Sequence, residues 1–161
     1  LLGSGRRRIG FIGQASSHYP EFHDRYRGAC AALADAGISA DPALQVDALN
    51  TQQAGFDAVM TLKARGTAFD ALFAASDTIA IGALAALEEL GLAVPHDVAV
   101  VGFDDIPAAA LTHPPLTTVA QNYLLAGEQL VDTLLRLIRG EPTESATLPV
   151  RLVVRRSTVA A

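Results

Sequence analysis

The feature that most constrains this chain is an alternation of short apolar runs with longer amphipathic ones, several closed by a glycine. Ile9-Gly10-Phe11-Ile12-Gly13 is apolar and stops at a Gly/Ser-rich loop, the pattern of a buried strand. A helix is expected next: Pro20 suits a first turn, Phe22, Tyr26, Cys30 and Leu33 share one face, and Gly37 sits where a left-handed cap is wanted. The pattern repeats with a strand at Leu44 to Val46 and a helix from about Thr51 to Ala64, closed by Gly66. It continues with a strand at Ala71 to Ala74, a helix from Asp77 to Leu90 before Gly91, and a strand at Val98 to Gly102. Strands that alternate with helices predict an α/β fold, a parallel sheet with helices on both faces. At 161 residues the chain can bury one ordinary core.

Beyond Asp105 the rhythm breaks. Pro114-Pro115-Leu116-Thr117-Thr118-Val119 predicts an extended crossing segment, because proline biases itself and its predecessor away from helix. A long helix is expected from about Tyr123 to Arg139, with Leu124, Val131, Leu134, Leu135 and Ile138 turned inward. Leu148 to Arg155 alternates and predicts an edge strand, with Arg151 and Arg155 on one side and Val150, Leu152 and Val154 on the other. At the other end, Leu1-Leu2-Gly3-Ser4-Gly5 reads as the last turn of a helix with its glycine stop, so the chain is expected to begin inside a longer protein.

Ligands of open parallel sheets bind beyond the carboxyl ends of the strands. Those positions hold Gln14 to His23, Leu49 and Asn50, Ser76 and Asp77, and Asp104 and Asp105. The two adjacent acids admit three readings: a catalytic pair, a metal site, or a grip on a neutral polar ligand. Several enzyme classes lack their starting points: there is no G-x-S-x-G elbow, G-x-G-x-x-G or P-loop. The histidines, His18, His23, His96 and His113, are scattered, and two neighbouring carboxylates supply too few oxygens for a hard cation. A net charge of −5 offers no nucleic-acid footprint, and the basic runs Arg6-Arg7-Arg8 and Arg155-Arg156 are read as solvated strand ends. Cys30, the single cysteine, fits a reducing compartment. No apolar run has the length of a membrane span, so no membrane partner is expected.

The binding reading uses the same residues. A carboxylate accepts hydrogen bonds from adjacent hydroxyls, and a guanidinium donates to an oxygen opposite. Arg27, one turn after His23, is the expected partner of Asp104. Ser76-Asp77 before an apolar helix predicts an N-cap that includes Asp77, and Asp105 before Ile106-Pro107 predicts another.

These stretches resemble the effector-binding core of the LacI/GalR family of bacterial transcription repressors, which is similar in fold to periplasmic sugar-binding proteins. The resemblance is carried by Gly5 to Gly13, Arg25-Tyr26-Arg27-Gly28, Ala75 to Ala83, Gly91 to Asp105 and His113 to Val119. It implies that Arg27, in the R-G pair, and Asp104, the first acid of G-[FY]-D-D, bind effector hydroxyls. Ser76 stands where relatives usually carry an effector-contacting asparagine, Asn50 where an aromatic commonly stacks on a sugar. His23 and Tyr123 fall at further effector-facing positions.

The resemblance further implies a C-terminal subdomain over residues 1–120, a segment 121–147 belonging to a second subdomain, and a return strand over 148–161. A helix-turn-helix domain would precede these in family members. The implied function is effector sensing, the effector a sugar or related polyol, in a cytoplasmic homodimeric regulator that reaches operator DNA only through that separate domain. No cofactor, metal or catalysis is expected. A periplasmic sugar-binding protein of an uptake system is the alternative.

Overall fold

The computed structural model describes residues 1–159 and contains a six-stranded sheet in the order β2-β1-β3-β4-β5-β6. The strands are β1 (Ile9–Ile12), β2 (Gln45–Val46), β3 (Ala71–Ala74), β4 (Ala99–Asp104), β5 (Thr117–Gln121) and β6 (Val150–Val153). The helices are α1 (Pro20–Asp35), α2 (Gln52–Ala64), α3 (Asp77–Glu89) and α4 (Tyr123–Ile138). β1 to β5 pair in parallel, and β6 closes the edge antiparallel to β5, with Val119 opposite Leu152. The segment expected only to cross is therefore a full strand of the sheet.

The core lies between the sheet and the α2–α3 layer. Ile12, Leu72, Ala74 and Val100 are fully buried, as are Val59 and Leu62 of α2 and Ile79 and Leu87 of α3. The two helices meet backbone to backbone: a β-carbon at Gly55 would overlap the Ile79 carbonyl, and one at Gly82 the Gln52 carbonyl. This contact fixes the start of α3, and with it Ser76 and Asp77.

The opposite face is covered less completely. Phe11 packs against Tyr26 of α1 and edge-on to Phe73, with ring centroids 5.1 and 5.6 Å apart. Beside α1 an apolar groove of about 710 Å³ runs over Ile9, Val101 and Val119 to Leu152 and Val154, with Leu1 and Leu2 among its lining residues. Helices thus lie on both faces as expected, but α1 covers only part of its side.

Three expectations need correction. No residue of α4 is buried: Leu124, Val131, Leu134, Leu135 and Ile138, expected to turn inward, are all exposed, so this core does not cover the apolar stripe, which is what a helix belonging to a second subdomain would leave open here. Val150, Leu152 and Val154 of the edge segment are exposed as well, while Arg155 is folded inward. The basic run after the first turn is not simply solvated, since Arg6 clamps the carbonyls of Pro95, His96 and Asp97, and the backbone amides of Arg7 and Arg8 donate to Asp70. Among the described residues no helix is long and apolar enough to cross a membrane.

Candidate functional site

The carboxyl ends of the parallel strands carry a continuous arc of polar contacts, built around the end of β4. Asp104 and Asp105 both take positive φ, 115° and 55°, a region that non-glycine residues rarely enter and that costs on the order of 1–3 kcal/mol each. The result is that neighbouring carboxylates bond to different parts of the fold. Asp104 Oδ1 accepts from Gln121 Nε2 at 2.8 Å and lies 3.7 Å from Arg25 Nη2. Asp105 Oδ1 accepts from Arg155 Nη2 at 2.7 Å. They are not a catalytic pair.

Arg25 is held on three sides. Its Nη1 donates to the Ala75 carbonyl at 2.6 Å, and its guanidinium sits 3.9 Å from the Phe103 ring centroid and 5.4 Å from that of Phe22. Burial lowers the Arg25 pKa, and the Asp104 charge opposes that shift. Burial likewise raises the Asp104 pKa, against the pull of Arg25 and the Gln121 hydrogen bond. The Tyr123 hydroxyl donates to the Asp104 carbonyl at 2.9 Å, which ties the start of α4 to the end of β4. Asp104 Oδ2 has no protein donor among the described residues, so an ionised Asp104 keeps acceptor capacity for hydroxyls brought to this edge.

Behind this arc lies a structural acid. Ser76, not Asp77, caps α3: its Oγ accepts from the Ile79 amide at 3.2 Å. Asp77 is the first helical residue and fully buried, with Oδ1 accepting from Thr118 Oγ1 at 2.6 Å and Oδ2 from the Ile106 amide at 2.9 Å. A β-carbon at position 102 would overlap Asp77 Oδ1, so Gly102 makes room for the carboxylate. Desolvation raises the Asp77 pKa, and the two hydrogen bonds counter it. Asp105 caps nothing; the turn after it starts at Ile106 without a side-chain cap.

The expected site residues separate into groups. Asp104 and Tyr123 meet directly, and Ser76 Oγ donates to Asn50 Oδ1 at 2.6 Å, joining the loop after β2 to the loop after β3. His23 Nδ1 bonds to the Ala15 carbonyl at 2.6 Å and so braces the loop after β1. Arg27 does not oppose Asp104: it is exposed and pairs at 3.5 Å with Asp24 on its own helix. The guanidinium beside Asp104 belongs to Arg25. At about 3.6 residues per turn, Arg25 and Ala29 flank the Phe22–Tyr26 stripe on one side, His23 and Arg27 on the other. The stripe was legible in the sequence; which flank faces β4 depends on how α1 lies on the sheet. Gln121 carried no signal, since its role follows from the β4–β5 register, which places Ala120 opposite Asp104.

Among the described residues no group of three or more His, Cys, Asp or Glu side chains is arranged to hold a metal ion. The large apolar groove is not this site. It reaches Arg25 at its border but offers few polar groups along the sheet face, whereas the arc has the donors and acceptors that orient a small polar ligand.

A periplasmic binding protein-like domain model matches residues 1–158. The transcriptional regulator CelR of Thermobifida fusca is 38% identical over 154 residues, covering 96% of this chain and 44% of that protein. A CelR–cellobiose complex superimposes with a TM-score of 0.89 at 37% identity, covering 98% of this chain and 48% of the other. A lac repressor dimer bound to operator and the anti-inducer ONPF gives a TM-score of 0.91 at 33% identity, covering 99% and 55%. The chain spans about half the length of the curated relatives it matches. Those relatives are transcriptional regulators, not enzymes. The chain belongs to the periplasmic binding protein-like family, as an effector-binding domain of the LacI type of transcriptional regulator.

Proposed function

We propose that the carboxyl edge of this sheet is one wall of a cleft for a sugar or related polyol, and that ligand binding shifts the whole protein between conformations of different operator affinity. The observation that carries this reading is the Arg25–Asp104 pair, a guanidinium and a carboxylate 3.7 Å apart on the edge where open parallel sheets bind ligands. Asp104 accepts ligand hydroxyls, Arg25 donates to a ligand oxygen, and Asn50 and Tyr123 lie along the same edge. The CelR complex with cellobiose supports a carbohydrate on this architecture.

The remaining parts of the reading follow the relatives. The protein acts in the cytoplasm as a homodimer and reaches operator DNA through a separate N-terminal domain. Residues 121–147 pack on a second subdomain that forms the other wall, a placement supported by the uncovered apolar stripe of α4. The test is a thermal-shift screen of mono- and disaccharides, cellobiose included, on the full-length protein, followed by operator binding with and without the sugar that shifts it. A sugar that raises the melting temperature and changes operator affinity is expected; no shift with any sugar or polyol contradicts the proposal.

A further inference from the structure

Ser76 lies on the ligand edge, yet its hydroxyl is already committed. It is 1% exposed, its Oγ accepts from the Ile79 amide at 3.2 Å, and its single proton goes to Asn50 Oδ1 at 2.6 Å. A serine hydroxyl with its proton engaged has no donor left for a ligand. Asn50 is the opposite case. It is exposed, its Oδ1 is taken by Ser76, and its Nδ2 has no protein acceptor among the described residues. Ser76 Oγ has no other acceptor among the described residues, so a flipped amide would leave its buried proton unpaired; donation to the amide oxygen thereby sets which end of Asn50 faces outward. The Ala75 carbonyl, one residue before Ser76, accepts from Arg25 Nη1, so the amide and the guanidinium are anchored to adjacent residues of one loop.

Resting on the sugar-cleft reading above, we infer that Asn50 is a specificity-determining residue and Ser76 its positioning residue. Held by Ser76, the Asn50 amide presents two N–H donors to the cleft. It therefore selects polyols that place an oxygen acceptor there. Ser76 touches no ligand and acts through the orientation of Asn50. Asn50→Asp keeps the shape and the bond to Ser76 but replaces the donors with an acceptor.

The experiment is calorimetric titration of the full-length protein with D-glucose, D-galactose, D-ribose and cellobiose. The proteins compared are wild type, Asn50→Asp, Ser76→Ala, Ser76→Thr and the Asn50→Asp/Ser76→Ala double variant. For whichever of these sugars binds wild type, Asn50→Asp should weaken binding at least about tenfold. Ser76→Ala should weaken it too, Ser76→Thr should restore it, and the double variant should bind no worse than Asn50→Asp alone, the non-additivity of two residues acting as one. Ser76→Ala also removes a helix cap, but a purely structural loss would lower the melting temperature without that coupling. Unchanged binding by Asn50→Asp overturns the specificity role, and additive losses overturn the positioning role. If Ser76→Ala does not fold, Asn50→Asp, at an exposed position, still decides the first point. If none of these sugars binds wild type, this inference falls, and the sugar-cleft reading falls with it only if the wider screen is also negative.

Discussion

Arg25 and Asp104, from α1 and the end of β4, approach to 3.7 Å at the carboxyl edge of the sheet, with the guanidinium lying over Phe103. If this pair grips the ligand, its removal abolishes binding without unfolding the protein. Arg25→Ala and Asp104→Ala should each weaken sugar binding by about tenfold to a hundredfold or more, since a single hydrogen bond to a charged group contributes about 1.5–3 kcal/mol. Arg27→Ala should leave binding unchanged, because Arg27 pairs only with Asp24 at the surface. Titration of the three variants with the sugar found by thermal shift checks this.

Asp77 is structural, and its loss should appear in stability. Asp77→Ala strands the Thr118 hydroxyl and the Ile106 amide, both of which it pairs, and should cost about 2–3 kcal/mol by chemical denaturation. Gly102→Ala should be at least as damaging, since its β-carbon has no space beside the same carboxylate.

Burial raises the pKa of Asp77 and of Asp104, which fixes the sign of two pH effects. The folded state keeps these protons to higher pH than the unfolded chain. These groups therefore add stability as pH falls through their raised pKa toward the ordinary carboxylate range, and that contribution is lost as pH rises again. Stability curves of wild type and Asp77→Asn should differ by a slope of that sign. Ligand affinity runs the other way, since a protonated Asp104 accepts poorly: it should begin to fall above the pH at which an ordinary carboxylate titrates.

Asp105 and Arg155 form a latch between β4 and the return strand. Arg155 Nη2 reaches Asp105 at 2.7 Å and its Nη1 donates to the Leu116 carbonyl at 2.8 Å. Arg155→Ala should cost about 2–3 kcal/mol and speed amide exchange in β6 more than in β1 or β3. Equal protection of β6 in wild type and variant would contradict the latch.

The strand and helix rhythm was legible because it is local: spacing, caps and glycine stops lie within each element's own residues. What was not legible depends on distance in the fold. Arg25 and Arg27 are equivalent in spacing until α1 is laid on the sheet. The Asp105–Arg155 pair joins residues 50 apart, and nothing near Asp105 announces it. The stripe of α4 was visible as amphipathic, but a sequence pattern says that a face is apolar, not what covers it. Leu134→Gln should therefore change the stability of the 161-residue chain by less than about 0.5 kcal/mol. In the full-length protein it should cost about 2 kcal/mol or more if α4 packs on a second subdomain, and equal effects in both would contradict that packing.

The most direct measurement of the central claim is a titration of full-length wild type and Asp104→Ala with the sugar that most raises the melting temperature. Saturable one-site binding in wild type, and none in Asp104→Ala at an unchanged fold, is the result predicted. Equal affinity in the two proteins would place the ligand elsewhere and contradict the account.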